Sequence, residues 1–178
     1  MVLVSQTAFL NHNIAISSDT VLRVNCAWVR SYSELEDMLS NLRSFNVFLD
    51  LPTGRTKPPI PTLSLHDIIP AVIKFYNVKY FGLTNTTTAR QVEDCKNQLP
   101  ERVGVVPKIE SLKGVSNLNS ICKATSGSKY LMLDKEDLYT DVGGDIKKFE
   151  KLVLNVRRVA TLYDKQVLEL QGVIFATK

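Results

Sequence analysis

Short β-rich apolar runs alternate along this chain with segments of helical period, and that alternation restricts the fold more than any other feature. The runs are Val2-Leu3-Val4, Val21-Leu22-Arg23-Val24, Val47-Phe48-Leu49, Tyr80-Phe81-Gly82-Leu83, Val103-Gly104-Val105-Val106 and Tyr130-Leu131-Met132-Leu133. This alternation argues for parallel βαβ units, because parallel strands need a crossover of a dozen or more residues, usually a helix. The fold class read from this pattern is α/β.

The helical segments carry their own start signals. Ser31-Tyr32-Ser33-Glu34 has the form of a capping box, and Leu35, Met38, Leu39 and Leu42 follow at helical spacing, so a helix is expected from about Ser33 to Phe45. Ser64-Leu65-His66-Asp67 opens a second helical stretch in which Pro70 implies a kink or a later start. Thr88 to Leu99, Ser111 to Thr125 and Ile146 to Tyr163 supply three more helices. Leu51 to Ser64 holds four prolines and reads as an ordered or semi-extended loop. At the C-terminus, Gln166 to Leu170 and Gly172 to Ala176 both read as strand with only Gln171 between them. They form one bent strand or a hairpin, since no parallel crossover fits.

Composition narrows the function. Apolar residues make up 44% of the 178 residues, and no stretch approaches the roughly 20 apolar residues of a membrane span. A soluble protein without membrane contact is expected. The N-terminus has neither a basic region nor a small-residue cleavage site, so no secretory signal is read. Cys26, Cys95 and Cys122 are scattered without metal-binding spacing and fit buried, reduced thiols in a cytoplasmic protein. The net charge of +4 is spread thinly and is not interleaved with aromatics, which argues against nucleic acid as a partner and leaves small anions as natural ligands.

Polar residues gather at the C-terminal ends of the runs, where parallel barrels present their sites: Arg23 and Asn25, Asp50, Thr84, Lys108 with Glu110, and Asp134 to Asp137. Any one of them taken alone is as well explained by a solvated loop or a surface ion pair. Glu110 and Asp137 come from neighbouring strand ends and together suit a hard divalent ion, which takes one or two carboxylates and completes its shell with substrate oxygen and water. Lys108 lies two residues before Glu110, so in extended backbone the two side chains share a face, and an ammonium stands beside the metal. Such a pair suits phosphoryl or enolate chemistry, where negative charge develops on oxygen.

These residues carry a family resemblance. Val106-Pro107-Lys108-Ile109-Glu110-Ser111-Leu112-Lys113-Gly114-Val115-Ser116-Asn117 resembles the pyruvate kinase segment KIE-x-x-x-GV-x-N, and Leu131-Met132-Leu133-Asp134-Lys135-Glu136-Asp137-Leu138 resembles IMVARGDL of the same family. Upstream, Val21 to Cys26 is similar to the VARLNFSHG strand, and Phe48 to Lys57 to the LLD-x-x-GP-x-IR strand and loop. The four motifs keep family order over roughly residues 20 to 145. A second relative is similar as well: Glu136-Asp137-Leu138-Tyr139-Thr140-Asp141-Val142-Gly143 resembles the DL-S-AD-L-G stretch of the metal-dependent hydroxy-acid aldolases and the citrate lyase beta subunit. Both belong to the phosphoenolpyruvate/pyruvate superfamily.

The resemblance implies an abbreviated TIM-type (β/α) barrel of about seven parallel strands, a single domain over residues 1–178. A complete eightfold barrel usually needs about 250 residues. Leu51 to Ser64 is too short for the lid that pyruvate kinase inserts there, and no C-terminal regulatory domain is expected. By resemblance Lys108 stabilises phosphoryl group and enolate, Arg23 meets phosphate, and Glu110 with Asp137 holds Mg2+ or Mn2+. Lys57, or Arg55 with the gap placed differently, aligns with the loop arginine that binds substrate, and Thr177 with a catalytic threonine of strand seven, although a gap-free alignment puts Val167 to Leu170 there. Asn25 and Asp50 match ligands of a monovalent cation, K+, but Ala27 and Trp28 replace the serine and histidine of that site. Lys135 and Glu136 stand where the family has arginine and glycine. The implied function is a magnesium-dependent enzyme that binds phosphoenolpyruvate, pyruvate or a related 2-keto acid and stabilises its enolate, short of complete pyruvate kinase activity. The alternatives are a non-catalytic binding or assembly module and a carbon–carbon lyase of aldolase type. An open seam in so short a barrel further implies a homo-oligomer.

Overall fold

In the computed structural model the strands lie in sequence order, β1-β2-β3-β4-β5-β6-β7, and every neighbouring pair is parallel. Residues 2–5, 20–53 and 59–169 are described. The strands are β1 (Val2–Ser5), β2 (Thr20–Asn25), β3 (Asn46–Leu51), β4 (Val78–Leu83), β5 (Gly104–Ile109), β6 (Tyr130–Leu133) and β7 (Gln166–Glu169). Between them lie α1 (Tyr32–Asn41), α2 (Leu65–Lys74), α3 (Ala89–Gln98), α4 (Leu112–Ser116), α5 (Leu118–Ala124), α6 (Lys135–Asp141) and α7 (Ile146–Leu162). An all-parallel sheet in strict chain order keeps its right-handed crossovers on one side, which is the topology of a barrel wall and not of a doubly wound sheet.

The two faces of the sheet bear this out. On one face, Leu22, Val24, Val47, Leu49, Val105, Ile109, Leu131 and Leu133 pack against helix residues such as Leu35, Leu39, Ile68, Val72, Val92, Ile121 and Val156 in a single large core. On the other, Phe48, Val106 and Val21 are buried among Tyr80, Tyr130, Met132 and Leu168, and every member of this cluster comes from a strand. No helix covers that face among the described residues. Strand residues can bury one another there only if the sheet curls, so the molecule is a curled half-barrel with a packed interior. Among the described residues β1 and β7 do not pair with each other.

Helix starts follow the cap chemistry. Ser64 with Asp67 and Thr88 with Gln91 form complete capping boxes. Ser31 accepts from the Glu34 N–H, but the Glu34 carboxylate accepts from the Arg30 N–H, so this box is only half made. Pro70 sits inside α2 without ending it. Three expectations need correction. The first helix stops at Asn41, where the chain turns to deliver Asn46 to β3. The stretch from Ser111 to Thr125 is two helices that break at Asn117. Lys135–Asp141 is a short helix that apolar periodicity did not reveal, since only Leu138 is buried in it and Asp134 alone marks its start. Strand seven is Gln166–Glu169, parallel to β6; the bend or hairpin beyond it falls outside the described residues.

The three cysteines are free and buried, and burial pushes the Cys26 and Cys95 thiols up to about 12 and Cys122 to about 11. None is a reactive thiolate at neutral pH. Among the described residues no helix is long and apolar enough to cross a membrane.

Candidate active site

The interior cluster ends upward in charge. Above Val21, Phe48 and Val106 the same alternation turns Arg23, Asp50, Lys108 and Glu110 toward the barrel interior, because side chains two residues apart share a face. Arg23 donates through Nε to Asp50 Oδ2 at 2.9 Å, and its Nη2 pairs with the same oxygen. Lys108 Nζ lies 3.5 Å from Asp50 Oδ1 and 3.1 Å from Glu110 Oε1. The four groups form one chain of alternating charge. Lys108, Asp50 and Glu110 are each less than a tenth exposed.

Gly82 makes room for this chain. A Cβ there would stand 2.7 Å from Phe48 Cε1 and 3.4 Å from Asp50 Oδ1, so any side chain at this position collides with the ring below the site. Burial alone would lower the Lys108 pKa, but the Asp50 and Glu110 carboxylates more than offset it and hold it above the ordinary lysine value. Burial raises the Glu110 pKa, against the opposing pull of the Lys108 ammonium and the Asn85 N–H.

Glu110 is gripped from two sides, with Oε2 accepting the Asn85 N–H at 2.5 Å. Asn85 has φ of 50°, the left-handed conformation that asparagine tolerates better than most residues. Its loop is fastened by the motif downstream of Glu110. Asn117 donates through Nδ2 to the Thr87 carbonyl at 2.7 Å, and Gly114 lets α4 approach so closely that a Cβ would lie 2.8 Å from the Thr86 carbonyl oxygen. The glycine and asparagine of KIE-x-x-x-GV-x-N therefore hold the loop that orients the glutamate.

Ile109 is in register with Leu133, which sets Glu110 beside Asp134 at the ends of adjacent strands. Asp134 caps α6 by accepting the Asp137 N–H, and this turn brings Asp137 round to the same point. Carboxylate oxygens of Glu110, Asp134 and Asp137 lie within 4.8 Å of one another. One octahedral magnesium shell is roughly 4 Å across, and an all-oxygen donor set suits a hard divalent cation. These residues fit such an ion. Asp134 was visible only as one of several acids at a strand end, and the register singles it out. Asn85 left no sequence signal, since its role lies in a backbone N–H.

Of the other residues read from sequence, Asn25 is in register with Asp50, but its side chain caps the short 3-10 turn Cys26–Trp28 by accepting the Ala27 N–H at 3.0 Å. Asp50 is already paired with two cations. Lys135 turns outward to Glu169, which also takes the Arg157 guanidinium. Arg55, Lys57 and Thr177 lie outside the described residues, while the gap-free placement of strand seven coincides with β7.

No protein-family model matches the sequence, and no curated protein matches it either. Solved structures do. An HpcH/HpaI aldolase/citrate lyase family protein from Burkholderia cenocepacia superposes with a TM-score of 0.67 at 13% identity, over 85% of this chain and 71% of the other. The HpcH/HpaI aldolase from Desulfitobacterium hafniense gives 0.65 at 15%, over 86% and 69%. Pyruvate kinase from Pyrobaculum aerophilum gives 0.65 at 15%, over 83% of this chain but 51% of that enzyme. The chain shares with these structures the parallel α/β fold of a barrel wall. These neighbours include both groups whose motifs the sequence resembles.

Proposed function

We propose that this chain is a divalent-metal-dependent enzyme of the lyase type that binds pyruvate or a related 2-keto acid as its enolate. The observation that carries the reading is the meeting of Glu110, Asp134 and Asp137 within 4.8 Å beside the buried Lys108 ammonium. Magnesium or manganese held by those carboxylates supplies Lewis acidity toward the enolate oxygen. Lys108 holds its positive charge 3.1 Å from Glu110 and would stand beside an anion bound to a cation held by that carboxylate. Arg23, about a quarter exposed and anchored on Asp50, offers its remaining N–H groups to a carboxylate or phosphate at the mouth. The likeness to aldolase and citrate lyase family structures supports carbon–carbon lyase chemistry ahead of phosphoryl transfer, as does a β3 to α2 connection too short for a lid.

Calorimetric titration with Mg2+ in the presence of oxalate, an enolate mimic, tests metal and ligand together. Oxaloacetate or a 4-hydroxy-2-keto acid tests turnover, which is expected to vanish in Lys108→Ala and Glu110→Gln. Absence of metal binding with and without oxalate would sink the reading.

A second reading is a non-catalytic binding or assembly module. It is favoured by the closure of the ion pairs on themselves, since Arg23, Asp50, Lys108 and Glu110 already satisfy one another. Metal and oxalate binding without turnover of either substrate class would select it.

A further inference from the structure

The opposite end of the sheet carries a second concentration of charge. An open cleft of about 500 Å³ lies at the N-terminal ends of β4, β5 and β6, far along those strands from Lys108 and Glu110. Lys79, Lys96, Arg102 and Lys129 line it, with Glu101 as its one acid. None of the four cations is ion-paired to a carboxylate among the described residues.

Two of them are oriented by neutral groups. Lys96 Nζ donates to the carbonyls of Ala124 and Ser126, each at 3.2 Å. Arg102 donates to the carbonyls of Val72, Ile73 and Val78 at 2.5, 3.0 and 3.2 Å. These contacts cap helix ends and hold the cations in place, but carbonyl dipoles do not cancel a full charge. Lys79 and Lys129 have no side-chain partner among the described residues. The cleft therefore keeps about three uncompensated positive charges in a partly walled space, where water screens them less than on an open surface.

Its walls are built. Tyr80 and Tyr130 meet edge to face with centroids 5.4 Å apart. Gly104 lies beside them, and a Cβ there would reach 3.2 Å from the Tyr80 ring and 3.6 Å from Ser128 Oγ, narrowing the cleft. The volume falls in the range of small-molecule sites and is too small for a folded partner.

We propose that this cleft binds a compact phosphate-bearing anion with two or more negative charges, at a site separate from the metal and enolate centre. Lysine ammonium groups serve phosphate as point charges, and a singly charged ligand would leave the cleft cationic.

Pyrophosphate titrated into the chain by calorimetry at constant ionic strength, with sulfate as the control anion, tests this. Saturable binding with a dissociation constant below about 1 mM is expected. The Lys79→Gln/Lys129→Gln double variant is expected to bind about tenfold more weakly, with an unchanged circular dichroism spectrum, since neither side chain holds the fold. Lys147→Gln, an exposed lysine in the first turn of α7 that does not line the cleft, is expected to bind as the unaltered chain does. The proposal is overturned by absence of saturable binding up to roughly 10 mM. Equal affinity in the double variant, an equal loss in Lys147→Gln, or an equal response to sulfate overturns it too.

Discussion

Lys108 concentrates the electrostatics of this protein in one side chain. It stands between two buried carboxylates, and its raised pKa has a definite consequence for stability. A group whose folded pKa exceeds its unfolded value contributes fully below the unfolded value and loses that contribution only as pH rises through the folded one. The window lies above the ordinary lysine range, so the ammonium is fully effective at neutral pH. Lys108→Met removes it and leaves Asp50 and Glu110 buried with less compensation, which is expected to cost about 3–5 kcal/mol in urea unfolding at pH 7. Because burial also raises the Glu110 pKa, the deficit is expected to shrink as the pH is lowered toward the ordinary glutamate range and Glu110 takes up a proton. A deficit that does not change with pH would place the effect in packing and not in charge.

Two contacts between elements link the site to the scaffold. Asn117, at the break between α4 and α5, holds the Thr87 carbonyl and through it the loop that points Asn85 N–H at Glu110. Asn117→Ala is expected to cost about 1–2 kcal/mol. Hydrogen exchange at the Asn85 amide is expected to speed up, and unchanged exchange there would show that the loop is held by other means. At the far side of the sheet, Glu169 joins β7 to α6 and α7 through Lys135 and Arg157. Burial would raise its pKa, but those two cations bring it below the ordinary glutamate value. A depressed folded pKa gives stability that is present above the unfolded value and lost as pH falls through the folded one. Glu169→Gln is therefore expected to cost roughly 0.5–1 kcal/mol at pH 7, given the exposure of both cations, with the difference closing below the ordinary glutamate range. Thermal unfolding between pH 7 and 3 reads this directly.

The described molecule is a barrel wall with two ends of different chemistry and, among the described residues, two unpaired edges. The C-terminal ends of the strands carry carboxylates beside a lysine, and the N-terminal ends carry a surplus of cations. Among the described residues the outer edges of β1 and β7 have no strand beside them. Exposed parallel edges invite pairing, and proteins cover them. The chain is expected to sediment as a dimer or larger assembly at micromolar concentration, and a monomer alone in analytical ultracentrifugation would contradict that expectation.

Much of the fold was legible because its signals are local. The parallel α/β class follows from the alternation of short β-rich runs and helical periods, and the caps at Ser64 and Thr88 mark helix starts through side chains that reach only three residues. Lys108 and Glu110 were legible as a pair because extended backbone turns residues two apart to one face. The helix at Lys135–Asp141 was not, since one buried leucine sets up no period. Asp134 as the third carboxylate depends on the register of β5 with β6, and Asn85 depends on a left-handed backbone that presents an N–H. The cationic cleft gathers residues from β4 to β6 that are up to about fifty positions apart. The sequence by itself determined the order of the elements, their parallel sense and the residue types at the strand ends. Only the curl of the sheet decided which of those residues meet, because curvature brings together side chains that no spacing along the chain relates.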